Sequence, residues 1–152
     1  MQNINNIFDD VKSVSTDFVN LLFDIFKNNN EWTTRQETIA DGCLLTKNVI
    51  HKIPVNFIKQ IYDDYKQVHH LHIIKYPKFG KLDWHDHFPF EKKSYIIYMD
   101  NVGGTFFNIN DKLIFENSEK NKLVLFDSIY RHKAYNDDIT RFVAAGGIYK
   151  KY

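Results

Sequence analysis

The period of the apolar residues changes once along this chain of 152 residues, from a helical spacing in the first part to a spacing of two from His69 onward. The second part contains short strand-like runs separated by turns rich in Gly, Pro, Asn and Asp: HHLHIIKY, KLDWHDHF, SYIIYMD, GTFFNI, KLIFE, KLVLFD and RFVAAGGIYK. Many short strands at regular spacing are typical of an antiparallel sandwich or barrel. No long crossover helix interrupts the runs, which argues against a parallel doubly wound sheet.

Residues 1–68 are predicted to form a helical support with one or two strands. A first helix is predicted from an apolar stripe at spacings of three and four, ended by Asn residues at 28–30; the stripe comprises Ile7, Val11, Val14, Phe18, Leu21, Leu22 and Ile25. A second helix is predicted from Pro54, a residue favoured at the first helical position, to about Gln67. The strands are expected within 32–50, with a turn at Asp41-Gly42. We therefore expect a single domain over 1–152, with the strand core over 69–152.

Composition limits the partners and the compartment. A net charge of +1 gives no strong signal for nucleic acid or for an anionic membrane surface. Cys43 is the only cysteine, which excludes an internal disulfide and a multi-cysteine zinc site. No apolar run approaches the roughly 20 residues that a membrane span needs. These features predict a cytoplasmic protein in a reducing setting.

The segment Trp84-His85-Asp86-His87 carries the clearest chemical signal. On a strand, residues i and i+2 share a face, so His85 and His87 can point at one ion while Asp86 points away. His132, on a later strand, can lie opposite them in a sandwich. Such a set leaves coordination positions open for substrate and dioxygen, as in non-haem iron centres. The alternative is a polar strand without a metal.

Three further histidines, His69, His70 and His72, lie on the preceding run. Nothing downstream completes a second metal site around them. We therefore assign them to a near-surface strand in which histidines are hydrogen-bonded or solvated.

An ordered series of motifs accompanies the three candidate ligands: Tyr76-x-x-x-Gly80, His85-x-His87, the aliphatic-Tyr run Ser94–Met99, Gly103-Gly104-Thr105-Phe106-Phe107, the apolar run ending Phe126-Asp127-Ser128, His132, and Thr140-Arg141. Over about residues 75–149 this series resembles the prolyl-hydroxylase-like branch of the 2-oxoglutarate- and Fe(II)-dependent oxygenases. The resemblance implies a double-stranded β-helix (jelly-roll, cupin-like) core of eight strands in two antiparallel sheets. The N-terminal helices are then expected against the outer face of one sheet.

The resemblance also implies an oxidoreductase, a dioxygenase that uses Fe(II), 2-oxoglutarate and dioxygen to hydroxylate a peptide, a protein or a small molecule. His85 and His132 match the two ligand histidines of that family, and Arg141 matches the basic residue that holds the far carboxylate of 2-oxoglutarate. A planar, permanently charged guanidinium suits that task. Tyr76 and Tyr98 are candidates for hydrogen bonds to the same cofactor; otherwise they are core tyrosines.

The chain departs from the family at one ligand position. The family places a carboxylate two residues after the first histidine, where this chain has His87. We favour His87 as the third ligand, with Asp86, brought in by a bulge, as the second choice and Glu91 as a further alternative. A neutral ligand leaves more positive charge on the iron and should weaken its retention. A non-catalytic relic of the fold is therefore a further alternative.

A cupin-type metalloprotein that acts without 2-oxoglutarate is the other alternative. His85-x-His87-x-x-x-Glu91 and His132-x-x-x-Asn136 are similar to cupin motifs. The Gly and Pro expected before the distal cupin histidine are absent, however, and Gly103-Gly104-Thr105 fits the oxygenases better.

Overall fold

The computed structural model describes residues 8–33, 40–41, 43–78, 81–87, 91–136 and 139–149. Its helices and strands are, in chain order, β1 (Asp10–Ser13), α1 (Thr16–Lys27), β2 (Ala40–Asp41), β3 (Leu44–Leu45), α2 (Val55–Ile61), β4 (Val68–Tyr76), β5 (Lys81–His85), β6 (Lys93–Tyr98), β7 (Gly104–Ile109), β8 (Lys112–Asn117), β9 (Lys122–Asp127), β10 (Arg131–Tyr135) and β11 (Arg141–Ile148). Two 3-10 turns, Ile50–Lys52 and Tyr65–Gln67, flank α2. Ile7, Gly42 and Gly80, which belong to the predicted patterns, lie outside the described residues. None of the helices in this part of the chain is long and apolar enough to cross a membrane.

Strands β4 to β11 form two four-stranded antiparallel sheets, which the short strands β1, β2 and β3 extend at their edges. The larger sheet has the order β1-β9-β6-β11-β4-β3 and the smaller one the order β2-β5-β10-β7-β8. Every strand pairing in both sheets is antiparallel. This arrangement of eight core strands confirms the predicted jelly-roll fold class.

Two apolar layers cover the two faces of the larger sheet. One layer lies between the sheets and includes Phe107 from β7 and Phe126 from β9, whose ring centroids are 4.9 Å apart. The other layer packs α1 and α2 onto the outer face of the larger sheet, with Phe18, Leu22 and Ile61 fully buried. The helices therefore cover the outer face of the larger sheet, and side chains of the strands occupy the space between the two sheets.

The predicted start of the first helix is wrong. Residues 10–13 form β1, in which Asp10 pairs with Leu125 of β9. The helix begins only at Thr16, after Ser15 caps it by accepting a hydrogen bond from the Phe18 N–H at 3.2 Å. Val11 lies on this strand and is 39% exposed, so it does not belong to the buried face of a helix.

The second helix is shorter than predicted. It ends at Ile61, since Tyr62 is extended with φ −154° and the chain continues into a 3-10 turn. Within that turn the Gln67 side chain donates to Asp64 Oδ2 at 2.7 Å, a local bond that competes with helical pairing. Pro54 occupies the N-cap rather than the first helical position. The strands expected within 32–50 are the short β2 and β3.

Candidate metal centre

Three histidines converge where β5 and β10 meet. His85 ends β5 and pairs directly in register with His132 of β10, and their ring centroids are 4.2 Å apart. The His87 ring lies 5.2 Å from that of His85 and 5.4 Å from that of His132. One candidate ligand nitrogen from each residue lies within 4.8 Å of the other two. The three imidazoles are thus close enough to hold one cation.

A loop, not strand alternation, positions His87. β5 ends at His85, so His87 lies two residues beyond the strand and the expected strand geometry does not apply to it. Its backbone N–H donates to the Ser128 carbonyl at 3.1 Å, and its own carbonyl accepts from the Glu91 N–H at 3.2 Å. These backbone bonds hold His87 where its ring lies near the other two.

Backbone carbonyls set the tautomers of two of the rings. His85 Nδ1 lies 2.7 Å from the Asp83 carbonyl, and His132 Nδ1 lies 3.0 Å from the Tyr130 carbonyl. Because a carbonyl can only accept, each Nδ1 carries the proton and Nε2 carries the lone pair. Metal-bound histidines commonly have this outer hydrogen bond, which orients the ring and raises its basicity.

The electrostatics of the cluster favour the neutral form of two of its rings, His87 and His132. Burial lowers the pKa of His132 well below its ordinary value, and the nearby His85 and His87 lower it further. Burial also lowers the pKa of His87; Glu91 opposes this shift and His85 adds to it. Neutral imidazole is the form that binds a metal.

The two carboxylates considered as ligands lie elsewhere. Asp86 is exposed and is not part of the three-histidine group. Glu91 is only 4% exposed, and its Oε1 lies 4.0 Å from His87 Nδ1, on the side of the ring away from a Nε2-bound cation. In this conformation Glu91 lies on the Nδ1 side of the His87 ring, opposite a cation bound at Nε2.

A hydrogen-bond network holds Glu91 in that place. Its Oε1 lies 3.0 Å from His70 Nε2, and its Oε2 accepts from the Ser94 hydroxyl at 2.8 Å. Burial raises the pKa of Glu91, but the bond from His70, the nearby His87 and the bond from Ser94 outweigh it and bring the pKa below its ordinary value. The carboxylate is therefore anionic at neutral pH.

The contacts of His70 and Gly147 with this carboxylate were not predicted. His70 is hydrogen-bonded, as expected, but its partner is Glu91. Register brings the residues together, since Gly147 of β11 pairs with His70 on β4 and with Ser94 on β6. A Cβ at Gly147 would overlap the Glu91 carboxylate. No sequence pattern marks this set, because its members come from three strands and a loop.

The remaining two histidines of that run have other contacts. His72 Nδ1 lies 2.9 Å from the Thr46 carbonyl, and His69 stacks on Tyr149 with ring centroids 4.3 Å apart. Both residues lie outside the three-histidine group, as predicted.

Arg141 is a buried cation at the start of β11. It is 1% exposed, and its Nη1 donates to the carbonyls of Gly104 at 2.9 Å and Tyr135 at 2.7 Å. Its Nε is buried without a hydrogen-bond partner, and no carboxylate in the described part of the chain forms an ion pair with it. A buried charge without a counter-charge is costly, which makes this a site suited to an anion.

Two tyrosines flank the guanidinium. Its carbon lies 5.0 Å from the centroid of the Tyr76 ring and 5.9 Å from that of Tyr98, within the range of cation–π attraction. Burial raises the pKa of both phenols, that of Tyr98 to about 12, so both stay neutral. The Tyr98 hydroxyl is hydrogen-bonded to Thr105 Oγ1 at 2.7 Å.

No family model matches the chain, and none of the curated proteins is similar to it in sequence. Solved structures are similar to it in fold. A prolyl-4-hydroxylase from Pseudomonas putida has a TM-score of 0.72 at 14% identity, over 94% of this chain and 92% of that one. A prolyl hydroxylase from Trichoplax adhaerens, solved with a peptide fragment of the hypoxia inducible factor oxygen degradation domain, has a TM-score of 0.70 at 11% identity, over 93% and 83%.

HygX from Streptomyces hygroscopicus, solved with nickel, 2-oxoglutarate and hygromycin B, has a TM-score of 0.65 at 8% identity, over 95% of this chain and 85% of that one. At such low identities the likeness shows the fold alone. The protein thus has the double-stranded β-helix fold of the prolyl hydroxylases and other 2-oxoglutarate oxygenases. The resemblance inferred from the motifs is confirmed at that level.

Proposed function

We propose that this protein is an Fe(II)- and 2-oxoglutarate-dependent dioxygenase that hydroxylates a peptide, a protein or a small molecule. The proposal depends on one observation. A cluster of three histidines and a buried arginine, which forms no ion pair within the described residues, lie in the same sandwich of strands.

The proposed metal ligands are His85, His87 and His132. Their nitrogens are close together, and the lowered pKa values of His87 and His132 favour the neutral form that binds a divalent ion. Asp86 remains the second choice for the third position, although it is exposed. When bound, Fe(II) and 2-oxoglutarate together supply the activation of dioxygen and the oxidation of a substrate C–H bond.

Arg141 is the proposed partner of the distal carboxylate of 2-oxoglutarate. Its unpartnered Nε would donate to that carboxylate, while Nη1 stays fixed by two carbonyls. Tyr135, whose carbonyl Arg141 binds, lies on β10, the strand that also carries His132.

Tyr76 and Tyr98 would form the walls of this cofactor site. Their neutral rings face the guanidinium and exclude water from it, which strengthens its attraction for a carboxylate. Because the Tyr98 hydroxyl already bonds Thr105, the phenol is held in a fixed position.

The decisive experiment is an anaerobic titration of the protein with Fe(II) and then 2-oxoglutarate. We expect one iron per chain, a weak visible charge-transfer band when 2-oxoglutarate is added, and succinate formation on exposure to air. Metal binding that 2-oxoglutarate leaves unchanged would favour the cupin-type alternative. A protein that binds no metal would be a relic of the fold.

His132→Ala is expected to abolish iron binding, because it removes the most buried ligand of the three. The matched control is His69→Ala, since that exposed histidine stacks on Tyr149 and lies outside the cluster. Metal analysis after desalting gives the stoichiometry of each variant. Full stoichiometry in His132→Ala would show that the ligand set is wrong.

A further inference from the structure

We infer that Glu91 is an outer-sphere carboxylate of the metal centre, whose negative charge beside His87 compensates for the lack of charge on that ligand. The inference rests on the proposed function. Three imidazole ligands bring no negative charge to a divalent ion, and Glu91 would supply one from outside the ligand set.

The outer partners of the three rings differ in kind. Neutral backbone carbonyls hold the Nδ1 atoms of His85 and His132. The Nδ1 of His87 instead faces a carboxylate oxygen of Glu91 at 4.0 Å. A buried anion thus lies beside the ring of His87, which is at the position where the resemblance implies a carboxylate ligand.

Burial and hydrogen bonds hold Glu91 in place, so its contact with His87 differs from a pairing of exposed side chains on the surface. Its carboxylate is buried and bound by His70 and Ser94, while its backbone carbonyl accepts from the Ser128 hydroxyl at 2.6 Å. The absence of a side chain at Gly147 provides the space that the carboxylate fills. Contacts from four other residues thus fix one negative charge at a constant distance from His87.

A negative charge at this position would strengthen metal binding by His87. At 4.0 Å the carboxylate is beyond hydrogen-bond length from Nδ1, so it acts on the ring through its charge. It would offset the positive charge that a cation bound at Nε2 places on the imidazole, and the ring would be a better ligand. Outer-sphere partners typically contribute about 10–100-fold to metal affinity.

The test is a double-mutant cycle read out as metal affinity. Co(II), which is stable in air and coloured when bound, is titrated into wild type, Glu91→Gln, His87→Asp and the double variant. Glu91→Gln keeps the shape of the side chain and one acceptor oxygen, and it removes the negative charge. We expect it to weaken Co(II) binding by about 10–100-fold in the wild-type background. In the His87→Asp background the new carboxylate supplies a charge on the metal itself, so the loss there should be less than about threefold.

Glu116→Gln is the matched control, because it makes the same charge change at a partly buried carboxylate that pairs with Lys122 and lies outside the cluster. It should leave Co(II) affinity unchanged. An equal loss from Glu91→Gln in both backgrounds, or none in either, would overturn the inference while leaving the metal centre in place. Failure of wild type to bind Co(II), or equal binding by His132→Ala, would instead overturn the proposed function and this inference with it.

A purely structural role for Glu91 predicts a different pattern. Thermal unfolding of the metal-free proteins would then show a lower midpoint for Glu91→Gln, together with an unchanged Co(II) affinity. That result would also overturn the inference.

Discussion

The surroundings of Arg141 indicate a site for an anion. Its guanidinium is buried, two of its hydrogen bonds go to neutral carbonyls, and its Nε has no partner in the described structure. A surface arginine would instead find water or a nearby carboxylate. A bound anion would offset the energetic cost of this arrangement.

Replacing Arg141 by Met is therefore expected to weaken 2-oxoglutarate binding by about 10–100-fold, the loss of one charge-assisted hydrogen-bonded pair. Iron stoichiometry should be unchanged, since no proposed ligand contacts Arg141. The effect is measured by titrating the iron-loaded variant with 2-oxoglutarate and monitoring the visible band. Arg131→Met, an exposed arginine on β10, serves as control. Parallel loss of iron and 2-oxoglutarate binding would mean that Arg141 only supports the fold.

At the residue scale, ordered motifs single out residues whose placement the fold decides, whereas contacts set by register leave no signal in the sequence. The motifs single out His85, His132 and Arg141; the sandwich brings the two histidines together and buries the arginine, and their roles stay a prediction. The position of Glu91 behind His87 depends on a loop conformation and on Gly147, neither of which has a sequence signature.

At the scale of elements, β11 links the two ends of the candidate site. It lies between β6 and β4, with Arg141 at its start and Gly147 near its end. Its start is held by Asp100, which follows β6 and accepts hydrogen bonds from the N–H groups of Phe142 at 2.7 Å and Val102 at 3.1 Å. Asp100 thus connects the turn after β6 to the strand that carries Arg141.

Asp100 should make stability depend on pH. Burial raises its pKa above the ordinary value of 3.8, and the two N–H donors and Arg141 only partly oppose this. The folded state then binds a proton more tightly than the unfolded chain, so the free energy of unfolding falls as pH rises from 3.8 through the raised pKa. Urea unfolding of the metal-free protein at a series of pH values measures this, and Asp100→Asn should lack that component of the slope. Identical slopes would contradict the prediction.

The strand pattern was predictable at this scale and the helix bounds were not. Most of the period-two runs from residue 69 onward correspond to strands of the two sheets, because one face of each strand is buried between the sheets. Val11 and Val14 also fit a helical stripe, but pairing of residues 10–13 with β9 prevailed. Tertiary pairing of this kind cannot be deduced from local spacing.

The whole molecule is a sandwich whose stability should respond to the proposed metal. Binding to the folded state alone stabilises a protein by about 2.7 kcal/mol at a ligand concentration about 100 times its dissociation constant. For a chain of this size that corresponds to a rise of about 5–10 °C in the unfolding midpoint. We expect such a rise when Fe(II) is added anaerobically to chelator-treated protein. Thermal unfolding monitored by circular dichroism measures it. His132→Ala should show no rise; an equal rise in that variant would place the stabilising metal elsewhere.

The direct pairing of His85 with His132 has a consequence for how the protein would acquire its iron. The two residues are far apart in the chain and meet only when β10 has been laid beside β5, late in the sequence of strands. A nascent chain that has emerged as far as His87 holds two of the three imidazoles, so it has no complete binding site. If these three histidines bind the metal, its binding would report that β5 and β10 have come together.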